Sequence, residues 1–167
     1  MRSRTGTWFE TKVKYQKTQE DGTEKKVNEA YVVDALSFTE AESSIIDEMS
    51  VYVSGGFHVS GISQAAYSEI FFSDVDDDDK WYKAKLSFIT IDEKTEKEKR
   101  STVNYLVQAK SLARALRYID EEMGKTMIDY EVVGLFETKL MDVFEHNALG
   151  EKKEEKDDKP EYEQQNA

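Results

Sequence analysis

Apolar and polar residues alternate from Trp8 to Lys17. Trp8, Glu10, Lys12 and Lys14 fall on one side, and Phe9, Thr11, Val13 and Tyr15 on the other. A period of two over this length predicts a half-buried strand. Glu20-Asp21-Gly22 is turn chemistry, and Lys26 to Asp34 reads as the returning strand of a hairpin. From Ser37 the period lengthens. Phe38, Ala41, Ile45, Ile46 and Met49 form a stripe at helical spacing, with Ser37 as N-cap and Glu40 three residues on. Gly55-Gly56 resets the chain. Phe57 to Phe72 then reads as one long strand, bulged or bent at Gly61.

The same pattern returns. Tyr31–Met49 matches Tyr105–Met123 at an offset of 74 residues, with Val33 on Val107, Ala35 on Ala109, Ser37 on Ser111 and Ile45 on Ile119. On either side the offset is one residue shorter. Trp8, Lys12 and Val13 fall on Trp81, Lys85 and Leu86, and Phe57, Gly61 and Glu69 fall on Tyr130, Gly134 and Asp142. Self-similarity at a nearly constant period marks an internal repeat. The second copy therefore predicts strands over Trp81–Thr90 and Ser101–Ala109 and a helix capped by Ser111, with Leu112, Ala115, Leu116, Ile119 and Met123 as its stripe. Gly124 is the expected stop, and Tyr130–Phe144 a second long strand. The expected fold is α+β: a tandem pseudo-twofold duplication of a ββαβ unit, with the sheet covered on one face by the two helices. The expected organisation is a first repeat over 1–73, an acidic linker over 74–80 and a second repeat over 81–146 forming one compact domain with the first. An acidic tail over 147–167, without apolar periodicity, is expected to be disordered.

Charge changes this picture in one respect. Lys and Arg number 23 against 35 Asp and Glu, a net −12, which disfavours indiscriminate binding to polyanions and leaves room only for a local basic face. The chain has no cysteine, so it offers no disulfide framework and no thiolate metal site. The start, MRSRTGTWFE, lacks the apolar core of a secretory signal, and no apolar run reaches membrane-spanning length. A cytoplasmic protein with no membrane association is expected.

The enzyme reading is weak. His58 and His146 are not in a metal-binding spacing, and no nucleophile elbow, phosphate loop or dinucleotide fingerprint is present. Asp74–Asp79, DVDDDD, lacks the glycine and closing acid of a calcium loop, so a solvated acidic linker is the better reading. Glu69 and Asp142 are repeat equivalents and read as surface or interface acids. No catalytic residue, metal or cofactor is expected. The constellation that points to a function is Trp8, Lys12 and Lys14 with Trp81, Lys83 and Lys85, extended by Lys26 and Arg100 on neighbouring strands. Alternation puts each tryptophan on the face of its lysines. Rings with nearby ammonium groups on an open sheet face suit single-stranded nucleic acid, where bases stack and phosphates are neutralised. Core or dimer-interface packing is the competing reading of the tryptophans.

The stretches TWFETKVKYQKT, VVDALSFTEAESSIIDEM, YSEIFF, KWYKAKLSFITIDEK, LVQA and MDVFE together resemble a family of small acidic proteins of Bacteroidetes and their phages, grouped only as a domain of unknown function. The resemblance covers residues 7–145 and implies a compact intracellular or phage-encoded protein without assigning any residue a role. The function expected is non-enzymatic binding of single-stranded nucleic acid by the Trp/Lys face, with the acidic tail as a competitor for it. The alternative is a protein-interaction module, a phage or mobile-element accessory protein docking a host protein. A homo-oligomer is compatible with either.

Overall fold

The computed structural model describes residues 1–145. His146 and the expected tail at 147–167 lie outside the described residues. The elements are β1 (Arg2–Arg4), β2 (Trp8–Thr18), β3 (Glu24–Asp34), α1 (Phe38–Tyr52), β4 (Phe57–Ala65), β5 (Tyr67–Phe72), β6 (Lys80–Ile91), β7 (Glu98–Ala109), α2 (Leu112–Met123), β8 (Asp129–Glu137) and β9 (Leu140–Phe144). The fold is mixed α+β, as expected. However, the strands form two sheets, of order β1-β5-β7-β6-β8 and β4-β2-β3-β9, where the sequence suggested one sheet under both helices. The chain divides into two compact units that are not contiguous in sequence. Unit 1 is Met1–Trp8 with Gln64–Asp142, and unit 2 is Phe9–Ser63 with the chain from Val143 onward.

In unit 1, β6 and β7 pair without interruption from Lys80↔Ala109 to Ile91↔Glu98. The pairing closes through Asp92, whose N–H donates to Lys97 O at 2.9 Å and whose carbonyl accepts from Glu96 N at 2.7 Å. Alternation sends Tyr82, Ala84 and Leu86 to the same side as Tyr105, Val107 and Ala109, where they pack on Ala115, Ile119 and Met123 of α2. Full burial of an aliphatic side chain such as Ile119 contributes about 1.5–3 kcal/mol. Ser111 Oγ accepts from Arg114 N at 3.2 Å, a cap that stabilises the helix by about 1 kcal/mol. Leu112 and Leu116, expected in the buried stripe, are exposed, so the stripe is one residue wide. Gly124 does close α2, but for a steric reason. Its backbone is right-handed, and a Cβ there would sit 2.9 Å from Asp120 O.

The long strand expected over Tyr130–Phe144 is broken. Thr138 donates twice to Trp81 O, from its N–H at 2.9 Å and its hydroxyl at 2.8 Å. This ends β8 and lets β9 join the other sheet. A bulge, suggested by sequence at Gly61, is present at its match Gly134: Lys85 pairs with Gly134 and Leu86 with Val132, leaving Val133 as the extra residue. The Phe136 ring covers the glycine, so close that a Cβ would meet it at 2.8 Å. Phe57–Phe72 is broken in the same way, with β4 in one sheet and β5 in the other, parallel to β7 and antiparallel to β1.

In unit 2, Phe9, Val13, Tyr31, Val33 and Ala35 pack with Ala41, Ile45 and Met49 of α1, and Phe57, Val59 and Phe144 flank them. Ser37 Oγ accepts from Glu40 N at 3.1 Å, and the Glu40 carboxylate accepts from Leu36 N at 2.9 Å. The predicted capping box is therefore formed, with its return bond one residue upstream. Phe38 is half exposed, and meets Phe9 edge-on at 5.0 Å. The buried Thr11 hydroxyl donates to Tyr31 O at 3.1 Å, which satisfies a polar group that would otherwise be costly to bury.

Candidate functional site

The tryptophans are core, which is the competing reading of the alternation. Trp8 is 1% exposed and Trp81 2%, so neither ring offers a face on which a base could stack. In unit 1, the sheet face opposite α2 buries Ile70, Phe72 and Leu106 along with Trp81. Phe72 meets Trp81 edge to face at 5.6 Å, and the Arg4 guanidinium lies 5.4 Å from the Trp8 ring. A strand pattern assigns a residue to a face and is silent on whether that face is covered. Trp8→Ala and Trp81→Ala are each expected to cost about 3–5 kcal/mol, seen as a lowered urea midpoint. Lys→Ala at 12, 14, 83 or 85 should change stability by about 0.5 kcal/mol or less. A Trp81→Ala midpoint equal to that of the natural chain would contradict the buried position.

The basic residues divide between the units. Lys83, Lys85 and Arg100 are exposed in unit 1, and Lys12, Lys14 and Lys26 are exposed in unit 2. Arg100 is neutralised. Its guanidinium donates to Glu131 at 2.8 Å and lies 3.4 Å from Glu98. Its pKa is raised, first by the hydrogen bond to Glu131 and then by the charges of Glu131 and Glu98.

Unit 2 has a different arrangement. Val13, Tyr15, Tyr31, Val33, Phe57 and Val59 belong to the α1 side. Alternation then puts Lys12, Lys14 and Gln16 of β2, Lys26 and Asn28 of β3, and His58 and Ser60 of β4 on the opposite face. All seven are exposed. An open recess of about 620 Å³ is lined by Lys14, Gln16, Lys26, Asn28 and His58 together with Tyr15, Val27, Gly56 and Phe57. No carboxylate lines it. The acid next along β3, Glu29, accepts from the hydroxyls of Tyr15 at 2.9 Å and Tyr31 at 2.5 Å. Burial, then Glu29, pushes the Tyr15 phenol up to about 12. Among the described residues, Lys14, Lys26 and His58 have no carboxylate partner. Two ammonium groups, an imidazole and two amides around one recess make a donor-rich set with no carboxylate, which anionic oxygens match well.

The acidic junction is not wholly solvated. Asp78 is buried, and its carboxylate accepts from Ser73 Oγ at 2.5 Å, Tyr118 Oη at 2.6 Å, Lys110 N at 2.8 Å and Arg114 at 3.3 Å. Asp74, Asp76, Asp77 and Asp79 are exposed. Among the described residues no group of three or more His, Asp or Glu is placed to hold a metal. No described helix is long and apolar enough to cross a membrane. Sequence reading overlooked His58 as a member of the basic set and Asp78 as a buried anchor. Comparing charges at repeat-equivalent positions, His58 against Glu131, would have drawn attention to the first. No local signal distinguishes Asp78 from the other acids of DVDDDD. No curated protein and no solved structure matches the chain. Residues 7–146 match a domain of unknown function, DUF4494, and the chain belongs to that family.

Proposed function

We propose that the chain is a non-enzymatic binding protein that holds single-stranded nucleic acid by its phosphates on the Lys12, Lys14 and Lys26 face of unit 2. The observation that carries this reading is the carboxylate-free recess among Lys14, Lys26 and His58. Base stacking on Trp8 and Trp81 is no part of it. The net charge of −12 does not cancel the local face, because exposed charges more than about 8 Å away are largely screened at physiological ionic strength. The acidic stretch after Asn147 acts as a competitor for the same face. Its last nineteen residues hold 7 acids and 4 lysines.

We also infer that the two halves are copies of one unit that exchange their final strands. The sheet orders support this: β5-β7-β6-β8 in one sheet corresponds to β9-β3-β2-β4 in the other. Ser37 and Ser111 cap equivalent helices. Lys12 is the side chain that a Cβ at Gly61 would meet, as Lys85 is among those that a Cβ at Gly134 would meet.

The test of binding is the anisotropy of a labelled single-stranded oligonucleotide, titrated with the full chain and a 1–147 truncation at several salt concentrations. Each phosphate contact contributes about 0.7 to the slope of log K against log salt for single strands, so three lysines predict a slope of about −2. Lys14→Glu with Lys26→Glu should remove the binding, and truncation should tighten it. Salt-insensitive binding, or none at low salt, overturns the reading. The chain would then be treated as a protein-docking module, for which the exposed Val133 and Phe136 on the edge strand β8 are the observation in favour.

A further inference from the structure

We propose that only one of the two equivalent sheet positions binds phosphate, because an internal ion pair closes the other; this rests on the nucleic-acid reading above. The repeat offsets set Lys26 against Arg100, Lys14 against Ser87 and His58 against Glu131. In unit 1, Ser87 pairs with Thr102 on one side and Glu131 on the other, and Ile89 pairs with Arg100. Arg100 and Glu131 therefore flank β6, and they meet across it at 2.8 Å. Glu98 adds a second carboxylate at 3.4 Å. One cation faces two anions, and a phosphate arriving there would have to displace both.

The same backbone positions in unit 2 carry Lys26 and His58, with Lys14 on the strand between them in place of a serine. Glu24, the counterpart of Glu98, makes no ion pair with Lys26 among the described residues. The recess carries Lys14 and Lys26 with no carboxylate in its lining, whereas its counterpart holds one cation with two carboxylates. Two substitutions account for most of the difference. At one position an imidazole replaces a carboxylate, and at the other an ammonium replaces a hydroxyl. The two carboxylates already take the Nη1 and Nη2 side of Arg100 and offset its charge, so a phosphate approaching this guanidinium meets repulsion that Lys14 and Lys26 do not impose.

The experiment is a reciprocal swap in the full chain at low salt, read by the anisotropy of a short fluorescein-labelled oligothymidylate, with thermal melting to verify that each variant is folded. His58→Glu places a carboxylate beside Lys26 and is expected to weaken binding by about tenfold or more, as loss of contacts at the phosphates would. Adding Glu131→His and Glu98→Gln to that variant is expected to restore binding, now on Arg100, and a further Arg100→Gln to abolish it again. If the natural chain does not bind, the nucleic-acid reading falls and this inference with it. If it binds and His58→Glu is without effect, the ligand is held elsewhere and the inference alone is overturned. If His58→Glu weakens binding and the unit 1 changes fail to restore it, the Arg100–Glu131 pair is not what closes the second position.

Discussion

Fragments 1–73 and 74–146, produced separately, are expected to be unfolded, and their equimolar mixture to regain the β-sheet signal. The reason is strand exchange between sheets. In residues 1–73, β5 and β1 lose their partner β7, and the sheet of β4, β2 and β3 loses β9. Ile70, Phe71 and Phe72, buried in the full chain, would then be on an isolated two-stranded ribbon, which is at best marginally stable in water. In residues 74–146, β7 acquires a bare edge along Tyr105, Leu106 and Val107, which normally pair with Glu69, Ile70 and Phe71. The two core clusters hold only ten and eight buried residues, and chains of this length are marginal because they bury a smaller share of their surface. Far-ultraviolet circular dichroism and amide dispersion would read the outcome. Cooperative unfolding of the 1–73 fragment alone would refute the requirement for exchange.

Asp78→Ala is the point substitution expected to cost most among the charged residues, about 3–5 kcal/mol. Its side chain is 0% exposed. Removing it strands the Lys110 N–H, the Tyr118 hydroxyl and the Arg114 guanidinium, and unpins the junction Ser73–Asp79 from the start of α2. An unsatisfied buried donor costs about 1–3 kcal/mol, and the four donors that lose Asp78 are part-buried, so each contributes toward the lower end and together they account for the size of the loss. Asp78→Asn keeps the shape and one acceptor, and should retain roughly half of the stability lost in the alanine variant. The carboxyl also makes stability depend on pH. Burial alone would raise its pKa, but the hydrogen bonds from Ser73, Tyr118, Arg114 and Lys110 outweigh burial and hold it below the ordinary carboxylate range. A depressed folded pKa means the contribution is present above the unfolded value near ~3.9 and is lost as pH falls through the folded value. The natural chain should therefore lose stability on acidification below about pH 4, and Asp78→Ala should show a shallower loss in the same window. Equal acid profiles for the two would mean that Asp78 is not the group responsible.

Trp81 and Lys83 show how far the sequence carries the argument. Both stand on the face of β6 opposite α2, as the alternation requires, yet one is buried and the other exposed. Period two is a property of the strand's own backbone, and the covering of its face depends on distant segments. His58 and Glu131 are a second case. Their matching offsets can be read from the sequence, but the ion pair of Glu131 with Arg100 emerges only when β6 brings the two to its sides.

By itself the sequence determined the local elements: the hairpins, the helices capped by Ser37 and Ser111, the bulge at Gly134 and the faces to which Lys12, Lys14 and Lys26 belong. These follow from neighbouring residues and backbone sterics, which a short window contains in full. Only the tertiary structure decided that β5 and β9 cross to the opposite sheets, that the tryptophans are core, and that Asp78 alone among its acidic neighbours is buried. Those outcomes depend on hydrogen bonds and packing between segments more than thirty residues apart, such as β5 with β7 and Asp78 with Tyr118, and no local period encodes the choice of a distant partner.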